Sequence, residues 1–201
     1  MPKVTEEHLQ ARRRQITLAA ARLVATRGIH STSMRDVIAG SGLSGGAVYH
    51  YFPAKADLLE SIGELTLSTY RRSAATLIAE RGELGPAELL VAIAELVIQP
   101  AEDGTDLSGV GLAMWAEALH DPRVAAGTLR IIRGLRGQLE QVAAGWVAAG
   151  HLPAGTSPTA VASVLYAVIP GFLLQHHVTG DVSPAVLGEG LTALLGWVEN
   201  P

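Results

Sequence analysis

The residues between 32 and 55 hold most of the side chains in this chain whose type and spacing could do chemistry. Gly40-Ser41-Gly42-Leu43-Ser44-Gly45 satisfies the spacing G-x-G-x-x-G, which wraps a dinucleotide pyrophosphate when it joins a strand to a helix. Around it stand Thr32, Ser33, Ser44, Tyr49, His50 and Lys55. Their hydroxyls, phenol, imidazole and ammonium are groups that contact nucleic-acid phosphates or base edges. Elsewhere, His176 and His177 are metal-ligating types, but neighbours on a helix diverge by about 100° and do not easily grip one ion. The chain has no cysteine, no H-E-x-x-H and no G-x-S-x-G, so thiolate, zinc-hydrolase and serine-nucleophile chemistry lack their usual parts. No metal site and no cofactor are implied.

The elements that must position these residues decide between the readings. A dinucleotide fingerprint needs a preceding strand and an acid about twenty residues on. Here Ser33–Ala39 has helical spacing, and the acids available, Glu60 and Glu64, fall inside a predicted helix. Ile16, Ala19, Ala20, Leu23 and Val24 follow the spacing of one helix face, and Gly28 stands where a glycine stops a helix. Thr32 or Ser33 can cap a second helix carrying Met34, Val37 and Ile38, which Gly40-Ser41-Gly42 ends. Ser44 can cap a third, short helix to about Tyr51, before Pro53. Helix, glycine turn and short helix form a helix-turn-helix, in which Gly42 and Leu43 make the turn and Val48 and Phe52 hold the inner face.

At these residues the chain resembles the tetracycline-repressor (TetR) family of transcriptional regulators. Gly42-Leu43-Ser44-Gly45-Gly46-Ala47-Val48-Tyr49-His50-Tyr51-Phe52-Pro53-Ala54-Lys55, followed by Leu58-Leu59, is similar to that family's signature segment, and Thr32-Ser33-Met34-Arg35-Asp36-Val37 to its second helix. The close resemblance covers about residues 10–60. It implies that Ser44, Gly45, Gly46, Ala47, Tyr49 and His50 face the major groove. Tyr49 and Lys55, with Ser33 or Thr32, match positions that touch phosphates. Ile38 departs from the pattern, which has a small residue there, so the two helices are expected to cross slightly spread. Gly45-Gly46-Ala47 bring almost no hydrogen-bonding side chains, which leaves Ser44, Tyr49 and His50 to read bases.

The charge distribution agrees. The net charge of the chain is −4, an argument against nucleic acid on its own. Residues 1–55, however, hold eight basic side chains against three acidic ones, a balance of +5, and the remainder carries −9. A basic head on an acidic body is expected where one end approaches phosphates, and Arg12, Arg13 and Arg14 would add attraction independent of sequence.

The rest of the chain is also helical in period. The expected stretches are Ala54–Arg81, Ala87–Gln99, Leu107–His120, Arg123–Gly150, Thr159–Thr179 and Pro184–Glu199, with turn residues between them. No stretch shows the alternation of a half-buried strand. The fold expected is all-α, about nine helices: residues 1–55 a helix-turn-helix DNA-binding domain, residues 56–201 a helical ligand-sensing and dimerising domain. Glycines at 127, 134, 137 and 145 leave open whether the Arg123–Gly150 helix is continuous.

Two functions are assigned to the body. Ser163, Ala167 and Gly171, and again Gly188, Thr192 and Gly196, are small residues four apart, a ridge that lets another helix approach closely. Both lie on the last two helices, where the resembled family builds its interface between two subunits. A single short reading helix also spans too few bases, which favours a homodimer. Met114, Trp115, Ile131, Leu135, Trp146, Tyr166, Ile169 and Phe172 form an apolar inventory for a ligand pocket, and Glu117, His120, Gln175 and His176 are the polar groups near them.

From Pro158 to Gly180 no residue is formally charged, but Pro170, Gly171, Gln175, His176 and His177 interrupt the stretch, and no Lys/Arg cluster flanks it. A buried helix at a subunit interface is expected rather than a membrane span. The first residues lack the apolar run of a signal peptide. The resulting expectation is a cytoplasmic, ligand-responsive regulator, a repressor rather than an enzyme. Its partners are a double-stranded operator, a second copy of itself and a small-molecule effector. A helical protein-interaction module or a nucleotide-dependent enzyme is the alternative.

Overall fold

The computed structural model describes residues 6–66, 68, 84–101 and 104–196. Among the described residues there are nine helices and no strand. They are α1 (Glu6–Arg27), α2 (Met34–Ser41), α3 (Gly45–Tyr51), α4 (55–66), α5 (Pro86–Val97), α6 (Leu107–Ala118), α7 (Pro122–Ala148), α8 (Pro158–Val178) and α9 (Pro184–Leu195). The expected run of α4 to Arg81 and its closing Gly82 lie outside the described residues, as does Lys3, and the last helix ends at Leu195 with its cap at Gly196, short of the expected Glu199.

Local sequence chemistry starts most of these helices. Ser33 and Asp36 form a reciprocal capping box: the Ser33 amide donates to Asp36 at 2.9 Å, and the Asp36 amide to the Ser33 hydroxyl at 3.2 Å. Four helices begin with proline at the first position, after Gly85, Asp121, Ser157 and Ser183. Proline has no N–H to leave orphaned there, and its fixed φ already suits the helix. Asp121 accepts from the Arg123 amide at 2.7 Å, and Asp106 caps α6 through the Ser108 and Gly109 amides. Gly28 (φ 79°) and Gly42 (φ 69°) adopt the left-handed conformation that stops α1 and α2. Gly40 and Ser41 are still helical, so the break falls at Gly42 alone.

The chain divides into two compact units, residues 1–69 with 100–129, and residues 70–99 with 130–201. In the first, α1 packs on α2 and α6. Ile16, Ala20 and Val24 of α1 are buried with Val37, Val48, Phe52, Leu58 and Ile62. Two hydroxyls buried in this core, Thr17 and Ser61, satisfy one another at 2.9 Å. In the second unit α5 packs on α8 and α9. Its core is Leu89, Leu90, Ala143, Trp146 and Leu165, with Leu139, Val142, Ile169 and Leu191 packed around it. The Trp146 indole donates to the Leu84 carbonyl at 2.9 Å.

The helix left open by its glycines is continuous from Pro122 to Ala148. Each glycine weakens a helix by about 1 kcal/mol, and burial of Val124, Ala143 and Trp146 along the same helix outweighs that cost.

Candidate nucleic-acid interface

The interface is built on α3, seven residues long. A helix this short does not stand alone, so its cap and its core contacts must hold it. Ser44 caps it, accepting from the Ala47 amide at 3.3 Å, and the Phe52 amide closes it on the Val48 carbonyl at 2.9 Å. Val48 and Phe52 are fully buried, while Tyr49 is 50% exposed and His50 is exposed beside it. Helical rotation of about 100° per residue turns Tyr49 outward as Val48 turns in.

Three side chains from other elements fix this helix and its turn. The Arg13 guanidinium lies 4.6 Å from the centre of the Phe52 ring, a cation–π contact from α1. Gln15 of α1 donates to the Ser41 carbonyl at 2.8 Å, and the Ser41 hydroxyl to the Ile38 carbonyl at 3.0 Å. The two contacts from α1 cross many residues of sequence and leave no periodic signal, so spacing does not reveal them.

The outer face of α3 presents Ser44, Gly46, Tyr49 and His50, with Gly45 and Ala47 half-buried. Because Ser44 accepts its capping bond, its O–H remains a donor to an outside partner. Nothing within the chain would meet a side chain at Gly46, and one at Gly45 would meet Ile38 Cδ1 at 3.6 Å. The isoleucine is therefore faced by a residue with no side chain.

The expected phosphate contacts divide. Thr32 is buried and its hydroxyl donates to the Gly28 carbonyl at 2.8 Å, which makes it part of the loop before α2. Ser33 is exposed, with its hydroxyl engaged in the capping box. That box, first through the Ser33 hydroxyl and then its amide, holds the Asp36 carboxyl below its ordinary range, and Arg27 at 3.8 Å and Arg35 add to the effect. Lys55 donates from Nζ to the Ile29 carbonyl, which ties the start of α4 to the α1–α2 loop. An ammonium has three N–H donors, so two stay available. Arg14 is exposed, whereas Arg12 donates to Gln15 at 2.9 Å.

The proposed pocket residues fall in both units. Met114 and Trp115 belong to the first unit and the other seven to the second. Trp146 and Ile169 meet in the second core, and Phe172 stacks on His176 at 5.5 Å. His176 also contacts the Val182 carbonyl through Nδ1 at 2.8 Å. Glu117 is held by His30, with Nε2 and Oε2 3.0 Å apart. Among the described residues no cluster of three His, Asp or Glu is gathered to hold a metal ion.

The small-residue ridges divide as well. Ala167 and Gly171 lie exposed among Val164, Leu174 and Val178 of α8, while the Ser163 hydroxyl joins Arg136 of α7 at 2.6 Å. Thr192 and Gly196 are exposed on α9 and just beyond it. Gly188 faces inward: a Cβ there would lie 2.7 Å from Val91 Cγ2 of α5, so its smallness serves packing within one chain. By length and mean hydropathy (1.5) α8 could cross a membrane, but it also supplies Ala162, Leu165, Phe172 and Leu173 to the core.

Known proteins share this fold over most of the chain's length. Residues 16–62 match the family described as bacterial regulatory proteins, tetR family, and residues 86–196 match the C-terminal domain of BetI-type transcriptional repressors. The regulator BetI of Serratia proteamaculans is 27% identical over 124 residues, 62% of this chain and 62% of its own length. The chain's match thus spans less than two thirds of that relative. A TetR-family regulator from Rhodococcus sp. has a similar fold at 19% identity (TM-score 0.76, 92% of this chain and 97% of that one). So does a regulator from Saccharomonospora viridis solved with choline, at 22% identity (TM-score 0.72, 92% and 96%). With its helix-turn-helix and more than half its length matched, the chain belongs to the TetR family of bacterial transcriptional regulators.

Proposed function

We propose that the protein is a cytoplasmic repressor that binds a palindromic DNA operator as a homodimer and is released by a small, largely apolar or amphipathic effector. The division of labour is residues 1–55 for DNA and residues 56–201 for sensing and dimerisation. The observation that carries the reading is α3: capped by Ser44, held by buried Val48 and Phe52, and turned so that Ser44, Tyr49 and His50 face solvent. A helix so presented enters a major groove with its polar side chains on base edges, while Lys55 and Ser33 meet the backbone.

Dimerisation is supported by the apolar face of α8 and α9, where Val164, Leu174, Val178, Val186, Leu194 and Leu195 are all at least half exposed. Large apolar side chains exposed in this number are the kind of surface that a partner covers. Two copies then present two α3 helices to successive grooves. The effector acts through its different affinity for DNA-competent and released dimers, and the helix beginning at residue 55 is the lever between its site and Lys55. The choline bound to the Saccharomonospora regulator supports a small-molecule effector for the same fold.

Selection of bound sequences from a random duplex library by the purified protein tests the reading. The expected result is a palindrome with half-sites about one helical turn apart. No enrichment at moderate salt, with or without candidate effectors, would remove DNA binding from the account.

A further inference from the structure

The contact between His30 and Glu117 joins the DNA-reading head to α6. His30 is in the loop between α1 and α2, and Glu117 in the last turn of α6. The imidazole is 86% exposed and the carboxylate only 14%, with Nε2 and Oε2 3.0 Å apart. Exposed ion pairs are weak when both side chains must first be ordered. Here both ends stand on a fixed framework. His30 follows buried Ile29 and precedes buried Thr32. Ile29 in turn accepts Lys55 Nζ and the Thr32 amide on its carbonyl. On the other side, the Glu117 carbonyl accepts the His120 and Asp121 amides at 2.9 Å each, and Val110 and Met114 bury α6 in the core.

The loop that receives His30 therefore holds three things the interface needs. It sets the Ser33 cap of α2, fixes the Ile29 carbonyl that orients Lys55, and ends α1. Meanwhile α6 carries Met114 and Trp115, proposed effector contacts, within one turn of Glu117. We propose that His30 and Glu117 are a positioning pair for DNA binding: a strut through which the place of α6 sets the α1–α2 loop, and with it Ser33 and Lys55. The inference rests on the proposed repressor function and names how the state of α6 reaches the DNA face. Arg27, Arg35 and Asp36 on the head side, and His120 and Asp121 beyond α6, are the other charged or titratable groups near the two ends in sequence.

The test uses the full chain and the duplex that the wild-type protein enriches. His30→Ala and Glu117→Gln should each weaken binding about fivefold, the upper range for an exposed pair, with unchanged melting temperature. His30→Glu places two acids together and should bind more weakly still. The exchanged double variant, His30→Glu with Glu117→Lys, should recover affinity to within about twofold, a rescue that loss of packing would not allow. Hydrogen exchange without DNA is the second measurement: amides of residues 28–33 should exchange faster in His30→Ala. Wild-type-like affinity in both single variants, no rescue by the exchange, or unchanged amide exchange overturns the strut. A wild-type protein that enriches no duplex overturns the repressor function and, with it, the role of the pair in DNA binding.

Discussion

Tyr49 stands in solvent because its neighbour Val48 does not, and under the proposed function that one-residue alternation separates recognition from stability. Tyr49→Ala removes a half-exposed ring from a capped helix, so binding to the selected duplex should fall at least about tenfold, the size of a lost polar or stacking contact. The melting temperature should stay unchanged. Val48→Ala should do the reverse through the fold, costing about 2 kcal/mol of stability by opening the core. Paired titrations and thermal melts distinguish the two, and equal binding by Tyr49→Ala and wild type would remove Tyr49 from the interface. Gly46→Ala is a sharper probe, since a Cβ there meets nothing in the chain. The fold should be as stable or more so, by at most about 1 kcal/mol, and weakened DNA binding would locate the groove against residue 46. Asp36 carries a pH dependence. Its carboxyl, held below its ordinary range chiefly by the Ser33 hydroxyl, contributes stability that is present above its unfolded pKa. That contribution is lost as pH falls through the lower, folded value. Asp36→Asn should therefore flatten melting temperature against pH in the acid range while lowering it near neutrality.

At the scale of elements, the helices were legible wherever caps and prolines write their ends into adjacent residues. Ser33 and Ser44 cap, Gly28 and Gly42 stop and Pro184 opens as the sequence indicates, whereas α7 and α8 open at Pro122 and Pro158, one residue before the expected starts, and the caps at Ser157 and Ser183 emerge only in the fold. The helix-turn-helix was legible for the same reason, since its inner face and turn are set within some twenty residues. What spacing could not say is what a helix face meets. The continuity of α7 depends on burial of Val124, Ala143 and Trp146, and the engagement of Thr32 and Glu117 on partners that only folding brings near. Gly188 is the clearest instance, a small residue in a stripe that reads equally as an outer or inner ridge. With Val91 Cγ2 2.7 Å from the place of its missing Cβ, Gly188→Ala must displace a stiff β-branched side chain. Destabilisation by about 1–3 kcal/mol is expected, as for overpacked cores. Val91→Ala in the same chain should recover part of that loss, measured by denaturant melts, and a neutral Gly188→Ala would mean that α5 and α9 pack less closely.

For the whole molecule, the proposed dimer ties recognition to assembly through the exposed apolar side chains of the second unit. Val164, Ala167, Gly171, Leu174 and Val178 repeat at three and four residues along α8, and the leucines at 194 and 195 stand 74% and 60% exposed on α9. Among the described residues nothing covers them, and their spacing is that of a helix seam that closes on another helix. The wild-type protein should therefore run in size-exclusion chromatography with light scattering at about twice 21.0 kDa. Leu174→Glu with Val178→Glu places two charges on that seam, and a desolvated pair of like charges costs more than the lost apolar contact. The variant should run as a monomer that keeps its helical circular dichroism. A monomer presents one α3 to one half-site, so its affinity for the palindrome should fall by orders of magnitude, because the second half-site no longer binds as part of one molecule. Its weak binding to an isolated half-site should match that of the wild type. If the double variant stays dimeric with full operator affinity, the second copy joins through another face and the exposed stripe of α8 serves a different partner. If it is monomeric yet binds the palindrome undiminished, recognition does not depend on pairing two α3 helices.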